Sequence, residues 1–172
     1  MSDLLTTKQK ADNELKSICA IFNAHEIKYC ILRLPNVDSI SEFETDILIH
    51  PLSFAKLHNI LIREGFTYYQ DDVVSHHHYK RDMLHLDFAT YISFGVKREH
   101  YVSSGGEILW RAKIKDGMYF ISEMDCLVML IMRSLFDKRD FSKKSEQIFN
   151  IIDKLGVSKC VQMMSRIYSL EE

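Results

Sequence analysis

The chain has 172 residues, 47% of them hydrophobic and 27% charged, and 22 Lys and Arg face 24 Asp and Glu for a formal charge of -2. That length fits one domain, or one domain with a small helical extension, and the composition excludes a disordered chain. The near-neutral balance excludes a strongly basic nucleic-acid binder. The longest apolar run, Cys126 to Met132, is too short to span a bilayer. The N-terminus lacks a basic start followed by an apolar block, so a cytoplasmic protein is expected. Cys19, Cys30, Cys126 and Cys160 form no CxxC pair and read as buried free thiols rather than a disulfide framework or a cysteine zinc site.

In chain order, Ala11, Leu15, Ile18, Cys19 and Phe22 recur at helical spacing and predict a helix over about Thr7 to His25. Lys28 to Arg33 reads as a short buried strand, Leu34 to Phe43 as a loop, and Glu44 to His50 as a second strand. Leu52 to Glu64 is a predicted helix ended by Gly65, followed by a strand from Phe66 to Gln70. His76 to Lys80 and Met83 to Ala89 predict a hairpin turned near Arg81 and Asp82. Residues 91 to 117 carry little pattern beyond a turn at Gly105-Gly106, and Gly117 to Ser122 suits one more strand. From Ser122 the chain reads as helical, with capping-box spacing at Ser122 to Asp125, an apolar helix to about Asp137, a helix over Lys144 to Leu155 and a last one over Val157 to Leu170. The expected class is α+β, with an α/β core over 1–121 and a C-terminal helical part over 122–172 packed on it.

The chemistry is carried by three carboxylates. Glu44 and Asp46 stand at i and i+2 of one strand and share a face, leaving Thr45, Ile47 and Ile49 on the other. Side-by-side carboxylates repel unless a cation lies between them. In the later strand, Leu84, Leu86 and Phe88 make a core face and put His85 and Asp87 on the opposite one. A solvated acidic pair and an edge-strand Asp are the plain alternatives; a three-carboxylate metal cage is the functional one.

The run YCILRLPN, then ETDILI, a helix and HLDF resembles the nucleotidyltransferase fold of the DNA polymerase beta superfamily. More narrowly, it resembles a bacterial nucleotidyltransferase group in which a Leu-Arg pair, here Leu32-Arg33, ends the first strand, and the likeness extends to LFDK, Leu135 to Lys138. The resemblance implies a small mixed sheet flanked by helices. It implies that Glu44, Asp46 and Asp87 hold two Mg2+ ions, and that a nucleoside triphosphate donates its NMP group to an acceptor hydroxyl, which Asp87 helps orient or deprotonate. The acceptor is expected to be a small molecule, a glycan precursor or a partner macromolecule. The chain departs from the family at Arg33-Leu34-Pro35-Asn36, where glycines usually cradle the phosphates, and at Glu44, where Asp is more usual. Arg33, Ser39 and Ser41 are the candidates to replace the missing loop.

His76, His78 and His85 form a second constellation. With the turn at Arg81 and Asp82, His78 lies opposite His85 and His76 opposite Asp87, all on one face. Such a set suits a zinc ion, a run of exposed histidines, or a role beside the magnesium site in which His85 orients the acceptor or neutralises a phosphate. Lys138, Arg133 and the alternating Arg111, Lys113 and Lys115 are further candidates to bind a triphosphate, with a solvated face as the alternative. Trp110 reads as a core anchor. Three functions follow: metal-dependent nucleotidyl transfer, a non-catalytic nucleotide- or partner-binding module of the same fold, and a hydrolase built on the histidines.

Overall fold

A computed structural model describes residues 2–35, 44–70, 76–94, 100–102, 105–137 and 142–167. The first helix, α1 (Ser2–Ala24), leads into β1 (Tyr29–Ile31), and β2 (Glu44–Ile49) returns antiparallel to it. A 3-10 turn at Pro51–Ser53 enters α2 (Phe54–Arg63), which ends where Gly65 takes the positive φ that favours glycine. There follow β3 (Thr67–Gln70), β4 (His76–Arg81), β5 (Leu84–Ala89), β6 (Ile92–Phe94), β7 (His100–Val102), α3 (Gly105–Arg111), β8 (Lys113–Lys115) and β9 (Met118–Phe120). The chain closes with α4 (Glu123–Met132), continued by a π-helical turn over Arg133–Asp137, then α5 (Ser142–Leu155) and α6 (Val157–Ile167). Seven strands form one mixed sheet in the order β3-β4-β5-β2-β1-β9-β8, and β6 and β7 pair separately.

The period-two pattern decides which side of the sheet each residue serves. One face carries Tyr29, Ile31, Ile47, Ile49, Tyr79, Leu84, Leu86 and Phe88, packed against Leu15, Ile18 and Phe22 of α1 and Leu57, Ile60 and Leu61 of α2. Phe22 meets Tyr29 and Phe88 edge-on, with ring centroids 5.5 and 6.0 Å apart. Burying a side chain of this kind stabilises by roughly 2–3 kcal/mol. The other face carries Cys30 and Leu48 beneath Ile108 of α3, Met124, Leu127 and Leu130 of α4, and Ile148 and Ile151 of α5. The helical C-terminal stretch is thus a cover on one face of the sheet.

The N-terminus of α4 is built as its capping pattern predicts. The Ser122 side chain accepts from the Asp125 backbone N–H at 3.2 Å. The Asp125 carboxylate is only 2% exposed and receives Arg111, with Nη2 2.6 Å and Nε 3.1 Å from its two oxygens. These hydrogen bonds hold the Arg111 guanidinium above its ordinary pKa. Arg111 therefore ties α3 to α4 rather than lining a strand face beside Lys113 and Lys115, which are exposed on β8. Trp110 also departs from expectation. Ile108 takes the core-facing position of α3, and Trp110 is left 77% exposed with Lys28 Nζ 3.5 Å from its ring centre.

All four cysteines are free and buried. Desolvation pushes the Cys19 thiol up to about 11 and Cys30 higher still. Reagents that need a thiolate should therefore find little reactive cysteine in the native protein near neutral pH. The expected result is slow labelling by iodoacetamide at pH 8 and rapid labelling of all four in urea, scored by mass spectrometry.

Candidate active site

The site lies on the face shared with Cys30 and Leu48, where the helical cover gives way. Along β2, Thr45, Ile47 and Ile49 are buried against the α1 and α2 side, so Glu44, Asp46 and Leu48 point to the other. Leu48 is roofed by helices, whereas Asp46 is half-buried and Glu44 exposed. β5 runs parallel to β2 with Asp46 beside Asp87 and Glu44 beside His85. β4 runs antiparallel to β5 with His78 beside Asp87 and Lys80 beside His85. Three neighbouring strands therefore present Asp46, Asp87 and His78 as a row across the sheet, with Glu44 and His85 in the next row.

The hairpin register differs from the one expected. The turn falls at Asp82-Met83, where Asp82 adopts a φ of 48°, so Arg81 pairs with Leu84, His78 with Asp87 and His76 with Ala89. Moving a turn by one residue slides the register by two and leaves every side chain on its face. His76, His78, His85 and Asp87 thus do share one side of the sheet, but in new pairs. His77 points the other way, stacked on Phe54 at 3.9 Å between centroids and joined to the Tyr68 hydroxyl at 3.0 Å.

Burial pushes the His77 imidazole below its ordinary value, with His76 adding to the effect. A depressed folded value means that the unfolded chain binds the proton first as pH falls. The stability tied to neutral His77 is full above the ordinary value of about 6.5 and is lost as pH falls from there through the folded value. The His77→Phe variant, measured by urea midpoint at pH 7.5 and 5.5, is expected to lose less stability on acidification than the wild type.

Asp87 is the most enclosed of the three site carboxylates, at 9% exposure. A carboxylate so buried needs partners. His76 Nδ1 lies 3.2 Å from both of its oxygens, and His78 Nδ1 lies 3.9 Å from Oδ1. The His78 and His85 rings are 5.7 Å apart. Glu44, His78 and Asp87 each bring one potential ligand atom to within 4.8 Å of the other two. A cation bound at 2.0–2.6 Å separates opposite donors by about 4 to 5 Å, so this spacing fits a single divalent ion. Asp46 stands apart from that trio. Its Oδ2 is 3.7 Å from Arg133 Nη1, which the π-helical turn after α4 carries to the edge of the site. Both side chains are substantially exposed, so the pair holds position more than it adds stability.

Arg33 lies two residues past the end of β1, and the intervening Leu32 N–H donates to the Asp46 carbonyl at 2.9 Å. Desolvation lowers the Arg33 pKa from its ordinary value, while Asp12 and Asp46 oppose the shift. Ser39, Ser41 and Lys138 lie outside the described residues. The role of His78 beside Glu44 and Asp87 was accessible to sequence only through the register of two hairpin strands. That of Glu44 has a geometric reason: a diagonal position relative to Asp87 is within reach of a longer side chain.

No family model and no curated protein sequence matches this chain. Among solved structures it is similar to the antibiotic-resistance factor ANT(2'')-Ia, a nucleotidyltransferase, with a TM-score of 0.60 at 12% identity over 95% of this chain and 96% of the other. The fold is of the nucleotidyltransferase type.

Proposed function

We propose that the protein is a metal-dependent nucleotidyltransferase of the DNA polymerase beta superfamily, moving an NMP group from a nucleoside triphosphate to an acceptor hydroxyl. The observation that carries this reading is the convergence of Glu44, His78 and Asp87 on the open face of a nucleotidyltransferase-type sheet. A divalent cation would supply charge neutralisation at the triphosphate and a site for the acceptor oxygen; the family resemblance implies two Mg2+ ions on Glu44, Asp46 and Asp87, whereas the donors that converge are Glu44, His78 and Asp87, with Asp46 turned to Arg133. In this reading residues 1–121 are the catalytic core and 122–172 its helical cover.

The chain's own residues then divide the work. Asp87, fixed by His76 through both oxygens, orients the acceptor hydroxyl and takes its proton. His78 and His85 border the space where the acceptor oxygen and the transferring phosphorus meet. Arg33 beside β1 and Arg133 beside Asp46 supply positive charge toward the phosphates. The acceptor is a small molecule, a glycan precursor or a partner macromolecule that brings its hydroxyl to the open face over β2 and β5; the resistance factor with the similar fold makes hydroxyl-bearing antibiotics a first panel to try.

A second reading is a nucleotide-binding module without turnover. It is favoured by one feature, the absence of glycine at Arg33-Leu34-Pro35-Asn36. Calorimetry with each nucleoside triphosphate and a divalent ion separates the two when followed by assay of transferred label. Binding with transfer is the expected outcome; binding alone selects the module, and no binding removes both.

A further inference from the structure

The trio that converges is not the trio of carboxylates. Two oxygen donors, Glu44 and Asp87, meet one imidazole, His78, while Asp46 is drawn toward Arg133. Donor type decides which ion a site prefers. Mg2+ binds oxygen, dehydrates reluctantly and demands near-ideal octahedral geometry. Imidazole nitrogen favours the first-row transition ions, and affinity rises from Mn2+ through Co2+ toward Zn2+. We infer that Glu44, His78 and Asp87 form a mixed nitrogen-oxygen site that selects a transition-metal dication of the Mn2+, Co2+ or Zn2+ kind over Mg2+. The inference rests on the proposed nucleotidyl transfer only for where the ion acts, not for its binding.

The surroundings fit such a site. The three donors come from three adjacent strands of one sheet, so their backbone positions are held by ladder hydrogen bonds. The Asp87 carboxylate is oriented from behind by His76, the kind of support that ligating carboxylates receive in metal sites. Glu44 is exposed, leaving one side open for water or a phosphate oxygen.

The test uses the full chain purified without a histidine tag, titrated with Co2+ and read by visible absorption and calorimetry. One Co2+ per chain is expected, retained against about a tenfold excess of Mg2+. His78→Gln is expected to weaken Co2+ binding by about tenfold or more, with Mg2+ affinity within about twofold of wild type. Glu44→Gln provides a second variant at an exposed position, where folding is not at risk, and is expected to weaken Co2+ as well. Equal displacement by equimolar Mg2+, unchanged Co2+ binding in His78→Gln, or an equal loss in the surface control His25→Gln overturns the site. The two readings fail separately. Pyrophosphate release that runs on Mg2+ and ignores His78→Gln removes the metal inference and keeps the transfer. Co2+ held through His78 with no pyrophosphate release keeps the site and removes the transfer.

Discussion

Asp87→Asn is expected to lower nucleotidyl transfer by about two to three orders of magnitude while leaving the fold intact, measured as label moved from an α-labelled triphosphate. The substitution is nearly isosteric, so the β5 strand and the Leu86 and Phe88 packing behind it are preserved. What changes is charge. Asp87 is buried, sits beside Asp46 in the parallel ladder and faces His76 and His78 on its other flank. An amide at that place accepts a proton from no hydroxyl and binds a cation weakly. His76→Ala should produce a milder loss, because it leaves the carboxylate in place and removes only the group that orients it. The ratio of the two effects separates a group in contact with the reacting atoms from one that positions it.

The largest effect on stability is expected at Arg111. Asp125 is buried at the first turn of α4, and its oxygens are met by Arg111 from α3 and by the Ser122 hydroxyl. Arg111→Ala leaves a buried carboxylate with most of its charge unpaired. Removing one partner of a buried ion pair costs about 3–5 kcal/mol, and the partial exposure of Arg111 brings the expected loss to about 2–3 kcal/mol. The double variant Arg111→Ala with Asp125→Asn should recover part of that loss, since no ion is then left buried. Urea midpoints of the three proteins provide the measurement. A single variant as stable as the wild type would mean that water reaches Asp125 and that α3 is not held to α4 by this pair.

The faces of the strands were legible in the sequence, and the distances between them were not. Thr45, Ile47 and Ile49 against Glu44 and Asp46, and Leu84, Leu86 and Phe88 against His85 and Asp87, declare their sides through a period of two. All of them occupy the side expected of them. Pairing depends on where a turn closes. Asp82 in a left-handed conformation moved the β4–β5 turn by one residue and exchanged the neighbours of His76 and His78. The stretch around α3 resisted reading for a different reason. Seven residues span too few turns to draw an apolar stripe, and Trp110, the most hydrophobic-looking anchor there, falls on the outer side. The Arg111–Asp125 pair joins two helices whose docking no local pattern reports. The same holds for Arg133 and Asp46, which meet only because a helix far along the chain ends over the face of β2.

Product analysis of an α-labelled nucleoside triphosphate incubated with the protein and a divalent ion tests the central claim without knowledge of the acceptor, because water can serve in its place. Slow, Asp87-dependent release of pyrophosphate is expected, with the label in NMP or in an added hydroxyl acceptor. Cleavage to a diphosphate and inorganic phosphate, or pyrophosphate release no faster than that of Asp87→Asn, would contradict it.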